Sequence, residues 1–166
     1  MEHNTPPTIL SSTEAANWAR ALMCTEQEEL WILVLAANKT LIASHLLFRG
    51  TADACLAHPR DVMRTAMRFA CDKNAVGFLL AHNHPSGELT PSKEDWVFTQ
   101  TVISCGRLFQ IPLIDHLVIT QAGYTSMRSL NEPLFVSGLL LEAPDSKAFA
   151  RRCRARPKSR SYLSQT

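Results

Sequence analysis

The segment from Ala75 to Asp95, AVGFLLAHNHPSGELTPSKED, constrains the fold more than any other part of this chain. Its opening run, Ala75 to Ala81, is uncharged and apolar apart from glycine, which suits a short buried strand. That strand delivers the chain directly into His82. Pro85, Ser86 and Gly87 then turn the backbone, and Pro85 keeps His84 extended. Beyond the turn, Thr90 predicts a helix cap and Pro91 a first helical position, with the helix running to about Cys105 and Gly106 as its stop.

The flanking chain supplies further layers. Residues 1–10 read as a flexible leader containing Pro6 and Pro7. Ser11, Ser12 and Thr13 offer caps for a helix through Met23, with Ala15, Trp18 and Leu22 at helical spacing. Leu30 to Ala36 is a second apolar run of strand length. Asn38-Lys39 predicts a tight turn into a hairpin partner from Thr40 to Phe48, which Gly50 ends. Pro59 opens a helix to about Lys73, with Val62, Ala66 and Phe69 facing inward. Ile111 to Leu113 and Leu117 to Thr120 read as strands. Gly123-Tyr124 turns into a last short one, and Leu130 to Leu141 reads as mixed loop and helix. The pattern is α/β, three layers with a mixed sheet flanked by helices, as one domain over residues 11–141.

Composition narrows the function classes. Of 166 residues 46% are apolar and 19% charged, which excludes a disordered, collagen-like or coiled-coil chain. The longest apolar run, Leu30 to Ala37, is far shorter than a membrane span. The first residues show no basic-then-apolar signal pattern, so a soluble cytoplasmic protein is expected. Cys24, Cys55, Cys71, Cys105 and Cys153 stand singly, without a CxxC pair, which favours reduced thiols over a zinc knuckle or redox pair. Residues 142–166 form a basic tail, expected to be disordered, that holds seven of the 17 basic residues and leaves an acidic body. Such a tail suits DNA or an acidic partner, or acts simply as a solubilising end.

The chemistry concentrates where the buried strand meets the next helix. Residues two apart on a strand point the same way, so His82 and His84 can aim both imidazoles at one point. Ser92 and Asp95, three apart, share a helix face. An HxH pair by itself equally serves local polar groups. Two imidazoles and a carboxylate converging from a strand end and a helix start suit a zinc ion with its fourth position open to water, the pattern of catalytic sites. Ser92 would then stand beside that water, as a donor to a developing oxyanion.

The run HxHP, then Ser92, then Asp95 resembles the JAMM motif of the JAB/MPN metallohydrolases. LFRGT (Leu47 to Thr51), HPRDV (His58 to Val62), AHNHPSGELTPSKED (Ala81 to Asp95) and IPLIDHLVI (Ile111 to Ile119) are similar to the RadC-type (UPF0758) branch. The resemblance covers most of the chain from Leu30 to Tyr124. It implies a JAB/MPN, cytidine-deaminase-like fold, with Zn2+ held by His82, His84 and Asp95 and Ser92 supporting an oxyanion. It also implies hydrolysis of amide or isopeptide bonds, and RadC-type proteins are named for DNA repair. Chains of that branch carry a helix-hairpin-helix region ahead of the domain, and the residues before Leu30 are too few for one.

Matching LIASHLLFRGT to the family pattern puts His45 where a catalytic glutamate is expected on the second hairpin strand. No acid lies between Lys39 and Ala52. Glu26, Glu28 and Glu29 read as a solvated face ahead of the first strand, and Glu88 as an exposed loop acid. His45 has three readings: a base suited to neutral pH, a fourth ligand that would close the coordination sphere, or a strand histidine bonded locally. His58 and Arg49 read as possible substrate contacts or as a helix cap and a surface arginine. Asp115-His116 reads as a carboxylate-oriented histidine or a surface polar pair. Trp18, Trp31 and Trp96 read as packing residues, with Trp96 as a candidate wall of the metal pocket.

Three functions follow. The first is a zinc-dependent hydrolase of peptide or isopeptide substrates. The second is a catalytically silent adaptor that reaches DNA or a repair or mobile-element protein through its basic tail. The third is a metal-dependent nuclease.

Overall fold

The computed structural model describes residues 6–24, 26–50 and 57–136. Helix α1 spans Ser12–Leu22, strands β1 and β2 span Glu29–Leu35 and Leu41–Arg49, and α2 spans Pro59–Lys73. Strand β3 (Gly77–Asn83) leads to α3 (Lys93–Leu108), β4 (Leu113–Ile119) and β5 (Tyr124–Ser126), then to α4 (Met127–Leu130) and α5 (Glu132–Val136). The strands form one mixed sheet in the order β2-β1-β3-β4-β5. β1 pairs antiparallel with β2 and β3, β3 runs parallel to β4, and β4 pairs antiparallel with β5. This is the α/β, mixed-sheet architecture expected from the sequence.

Alternation along the strands builds two cores, one per sheet face. Phe78 and Leu80 join Leu30, Ile32 and Val34 beneath α2 and α3. Leu79 and Ala81 join Leu33, Leu35 and Leu117 against Ala15, Ala16 and Ala19 of α1. β3 lies between β1 and β4 and is buried at all seven residues, which is why its sequence reads as a run without polar alternation.

Several elements depart from the sequence reading. Part of the segment read as a leader is tied down: Ile9 is buried, its N–H donates to the Lys39 carbonyl at 2.9 Å, and Leu41 N–H donates to the Pro7 carbonyl at 2.8 Å. The α3 cap is Ser92 rather than Thr90, because Ser92 and Asp95 satisfy each other's backbone N–H groups in a capping box. Gly106 lies inside α3 instead of ending it. A Cβ there would stand 2.7 Å from the Ile111 carbonyl oxygen, so glycine is required by the close approach of the chain as it turns toward β4. The two short strands expected around Asp115-His116 are one strand, and both residues are buried in it rather than at the surface.

Residues 142–166, and the end of the segment read as mixed loop and helix, lie outside the described residues, as do Cys55 and Cys153. Among the described residues, Cys24 and Cys105 are half-buried, Cys71 is exposed, and all three are free thiols. No described helix is long and apolar enough to cross a membrane.

Candidate metal centre

β3 carries His82 and Asn83, and its last turn of pleat sends them to opposite faces. His82 faces α3 and Asn83 faces the segment that precedes β1. His84 follows directly, with its N–H donating to the Ile119 carbonyl on β4 at 2.9 Å, and its ring Nδ1 donating to the Glu88 carbonyl at 2.8 Å. That second bond leaves the His84 Nε2 aimed away from the loop. It stands 2.9 Å from the Nε2 of His82.

Asp95 closes the set from the first turn of α3. Its two oxygens lie 3.3 Å from the His82 Nε2 and 3.6 Å from the His84 Nε2. The Ser92 hydroxyl donates to Asp95 Oδ2 at 2.7 Å, as does the Ser92 N–H. The two residues are therefore not simply neighbours on a helix face: the helix cap itself orients the carboxylate. Burial opposes the charge on Asp95, but hydrogen bonds from both imidazoles and from Ser92 outweigh it and hold the carboxyl far below the usual carboxylate range. The Asp95 carboxylate in turn raises His84 above the ordinary imidazole value, against the opposing effect of burial.

A fourth group joins them that the sequence reading placed elsewhere. A Glu28 carboxylate oxygen and one ring nitrogen each from His82 and His84 lie within 4.8 Å of one another. The reading of Glu28 and Glu29 as a solvated face is corrected. Glu29 is fully buried and Glu28 is half-buried at the histidines. The backbone explains the placement. The Glu28 carbonyl accepts the Gly50 N–H at 2.7 Å, Asn83 Oδ1 accepts the Glu29 N–H at 2.8 Å, and Asn83 Nδ2 donates to the carbonyls of Gln27 and Cys24. The Glu29 carboxylate accepts from Arg49 Nε at 2.7 Å, Trp31 Nε1 at 2.8 Å and the Cys24 N–H at 3.1 Å. Burial works to raise the Glu29 carboxyl, and these donors together bring it below its ordinary value. A glutamate clamped underneath thus presents the next glutamate to the site. No sequence pattern signalled this, because the Asn83 bond that holds the Glu29 N–H joins residues 54 apart.

His45 is exposed on β2, with its Cα opposite Ile32, and is not among the residues that line the cavity around the histidines. That cavity, about 420 Å³, is lined by Glu28, Leu30, Ala57, His82, His84, Ser92, Glu94, Asp95, Phe98 and His116. Phe98 rather than Trp96 is its aromatic wall. His58 occupies the α2 cap position without a side-chain cap bond. A groove of about 610 Å³ approaches the site from outside, and its lining includes Glu26, Glu28, Glu88, His84 and Ser92 but, among the described residues, no lysine or arginine. Asp115 faces the other side of the sheet, where Ser12, Ser126 and two backbone N–H groups saturate it.

The donor set fits a zinc ion. Four tetrahedral donors at the usual zinc–nitrogen and zinc–oxygen distances stand about 3.3 Å from one another. The separations among His82, His84 and Asp95, 2.9, 3.3 and 3.6 Å, bracket that value. Each donor also has a partner behind it: His82 has His116, His84 has the Glu88 carbonyl, and Asp95 has Ser92.

Comparison with known proteins agrees with this architecture. Residues 9–132 match the family described as RadC-like JAB domain. A UPF0758 protein of Thermotoga maritima is 36% identical over 127 residues, covering 76% of this chain and 55% of the relative. A UPF0758 protein of Thermosynechococcus vestitus is 40% identical over 116 residues, covering 70% of this chain and 45% of the relative. One of Symbiobacterium thermophilum is 43% identical over 101 residues, covering 61% and 42%. The chain spans about half the length of these relatives. A matched span that takes in both cores and every residue of the histidine cluster places this chain in the RadC-like JAB domain family.

Proposed function

We propose that this domain is a zinc-dependent hydrolase of amide or isopeptide bonds, with His82, His84 and Asp95 as metal ligands and Glu28 as general base. The observation that carries the reading is the convergence of two imidazole nitrogens and a carboxylate at zinc-like separations, with a second carboxylate beside them. Zinc bound there supplies Lewis acidity and lowers the pKa of water. The chain's own residues do the rest. Glu28, held by the Gly50 and Asn83 contacts, is placed to take a proton from water and hand it to a leaving amine. Ser92 orients Asp95 and stands at the rim of the cavity, where its hydroxyl can turn from Asp95 to give its one hydrogen to a developing oxyanion. Leu30 and Phe98 exclude water from one side.

The acidic groove favours a peptide over a nucleic acid. Three glutamates and no lysine or arginine among its described lining residues would repel a phosphodiester backbone and tolerate a lysine-bearing or neutral peptide. The silent-adaptor reading rested on a missing carboxylate, and Glu28 supplies one. Contact with DNA or a repair or mobile-element protein through the basic tail would be a separate property of residues outside those described.

Metal analysis of the purified protein and of His84→Ala tests the site, and hydrolysis of a lysine-isopeptide substrate with and without chelator tests the activity. About one zinc per chain, lost in His84→Ala, and chelator-sensitive cleavage are expected. Equal zinc in both proteins removes the assignment.

A further inference from the structure

Two depressions open from the cavity around the histidines. The acidic groove shares Glu28, His84 and Ser92 with it. A second, shallow depression of about 410 Å³ shares Glu94 and Phe98 with it, and Pro59, Lys93, Val97 and Thr101 complete its described lining. The two depressions have no lining residue in common, so they leave the cavity at different ends. Together the three form a trench with His82, His84 and Asp95 in its middle section.

The helical period builds the second depression. Asp95 and Phe98, three apart on α3, both line the cavity. Glu94, Val97 and Thr101, three and four apart, form the neighbouring stripe of the same helix and line an apolar shelf with Pro59 at the start of α2. Phe98 stands at the boundary, packed on the core with its ring 6.3 Å from that of His116. The Thr101 hydroxyl donates back to the Val97 carbonyl at 2.9 Å, so the shelf gains no free donor from it. Val97 itself is 66% exposed. An isolated exposed valine is ordinary on a protein surface. This one stands with a phenylalanine and a proline on the path of any chain that crosses the site.

The two ends of the trench differ in chemistry. The groove carries three glutamates and no described lysine or arginine, whereas Lys93 and Glu94 balance each other in charge at the shelf. Charge therefore draws the lysine-bearing half of an isopeptide into the groove and leaves the acyl half for the shelf. We propose that the shelf receives an apolar side chain of the acyl half, which makes Val97 a specificity-determining residue. The substrate is then an extended chain held on both sides of the scissile bond. This rests on the hydrolase reading above, but binding of a peptide to the shelf is measured without turnover.

The probes are two synthetic isopeptides, acetyl-Leu-Gly and acetyl-Ser-Gly, each joined through the glycine carbonyl to the lysine Nε of the same peptide, Ala-Lys-Ala. Affinity is read by calorimetry and cleavage by chromatography, both on the purified full chain. The parent is expected to favour the leucine probe roughly three- to thirtyfold in Kd and in kcat/KM, because a half-open apolar site recovers part of the transfer free energy of leucine. Val97→Ser should erase most of that preference through KM, with kcat and zinc content as in the parent. Thr101→Val extends the apolar strip and should raise the preference. Val76→Ser, at an exposed valine that lines neither depression, should leave it unchanged. A parent that binds both probes equally, or binds neither, overturns the proposal, and that result stands whatever the variants do. A leucine preference that survives intact in Val97→Ser overturns it as well. A leucine preference in binding that depends on Val97, with neither probe cleaved, sinks the hydrolase reading and upholds the shelf.

Discussion

Asn83, the residue between His82 and His84, accepts the backbone N–H of Glu29 through its Oδ1 at 2.8 Å. The strand that carries the imidazoles thereby also holds the backbone of the glutamate beside them. Asn83→Ala would strand one buried N–H and leave two part-buried carbonyls without this partner. A loss of about 2–4 kcal/mol is expected in urea unfolding, since each unsatisfied group costs about 1–3 kcal/mol and relaxation recovers part. Hydrolysis should fall further than the zinc content does, because Glu28 is displaced while the ligands stay.

Glu28→Gln separates binding from chemistry. Loss of a positioned base is expected to lower kcat by about a hundred- to ten-thousandfold, with zinc stoichiometry retained. His45→Ala, on the exposed edge strand, should leave kcat/KM within about twofold. The reverse ranking of the two variants would return the base to β2.

Stability should depend on acid through Glu29. Its carboxyl sits below the ordinary value of 4.5 in the folded protein. The stability it contributes is therefore complete above about that pH, and is lost as the pH falls toward its depressed folded value. Glu29→Gln is expected to lower the melting temperature at neutral pH and to flatten its decline below pH 4.5, read by calorimetry across pH. A variant with the parent's full acid slope would assign that slope to other carboxylates.

Ser92→Ala removes a cap and a carboxylate orienter together. The cap is worth about 0.5–2 kcal/mol. Zinc affinity should weaken as well, because Asp95 loses the hydroxyl that fixes it. A purely oxyanion-supporting Ser92 would instead lower kcat and leave the zinc dissociation constant alone.

Gly106→Ala probes the end of α3 opposite Asp95. Its Cβ would meet the Ile111 carbonyl oxygen at 2.7 Å. A loss of about 1–3 kcal/mol is expected in urea unfolding, with zinc content unchanged.

Much of this was legible in the chain. β3 and α2 could be read because apolar runs and a Pro at the helix start are local signals, and α2 spans the expected residues. His82, His84 and Asp95, which the structure brings together, share a short segment whose turn and cap are written in neighbouring residues. What could not be read depends on distant partners. Glu28 looks like any exposed acid until Asn83 and Gly50 hold its backbone. Asp115-His116 looks like a surface pair until Ser12 and Ser126 meet one and Thr99 the other. Gly106 looks like a helix stop until the Ile111 backbone crosses it.

The alternation of His82 and Asn83 has a consequence for how the chain finds its pairing. Slipping β3 by a single residue against β1 would swing both imidazoles toward α1 and the amide toward α3. A sheet misaligned in this way would forfeit the Asn83 bonds to Cys24, Gln27 and Glu29 in the same stroke as the approach of His82 to Asp95. Alignment of β3 on β1 and the meeting of His82 with His84 and Asp95 are therefore one event.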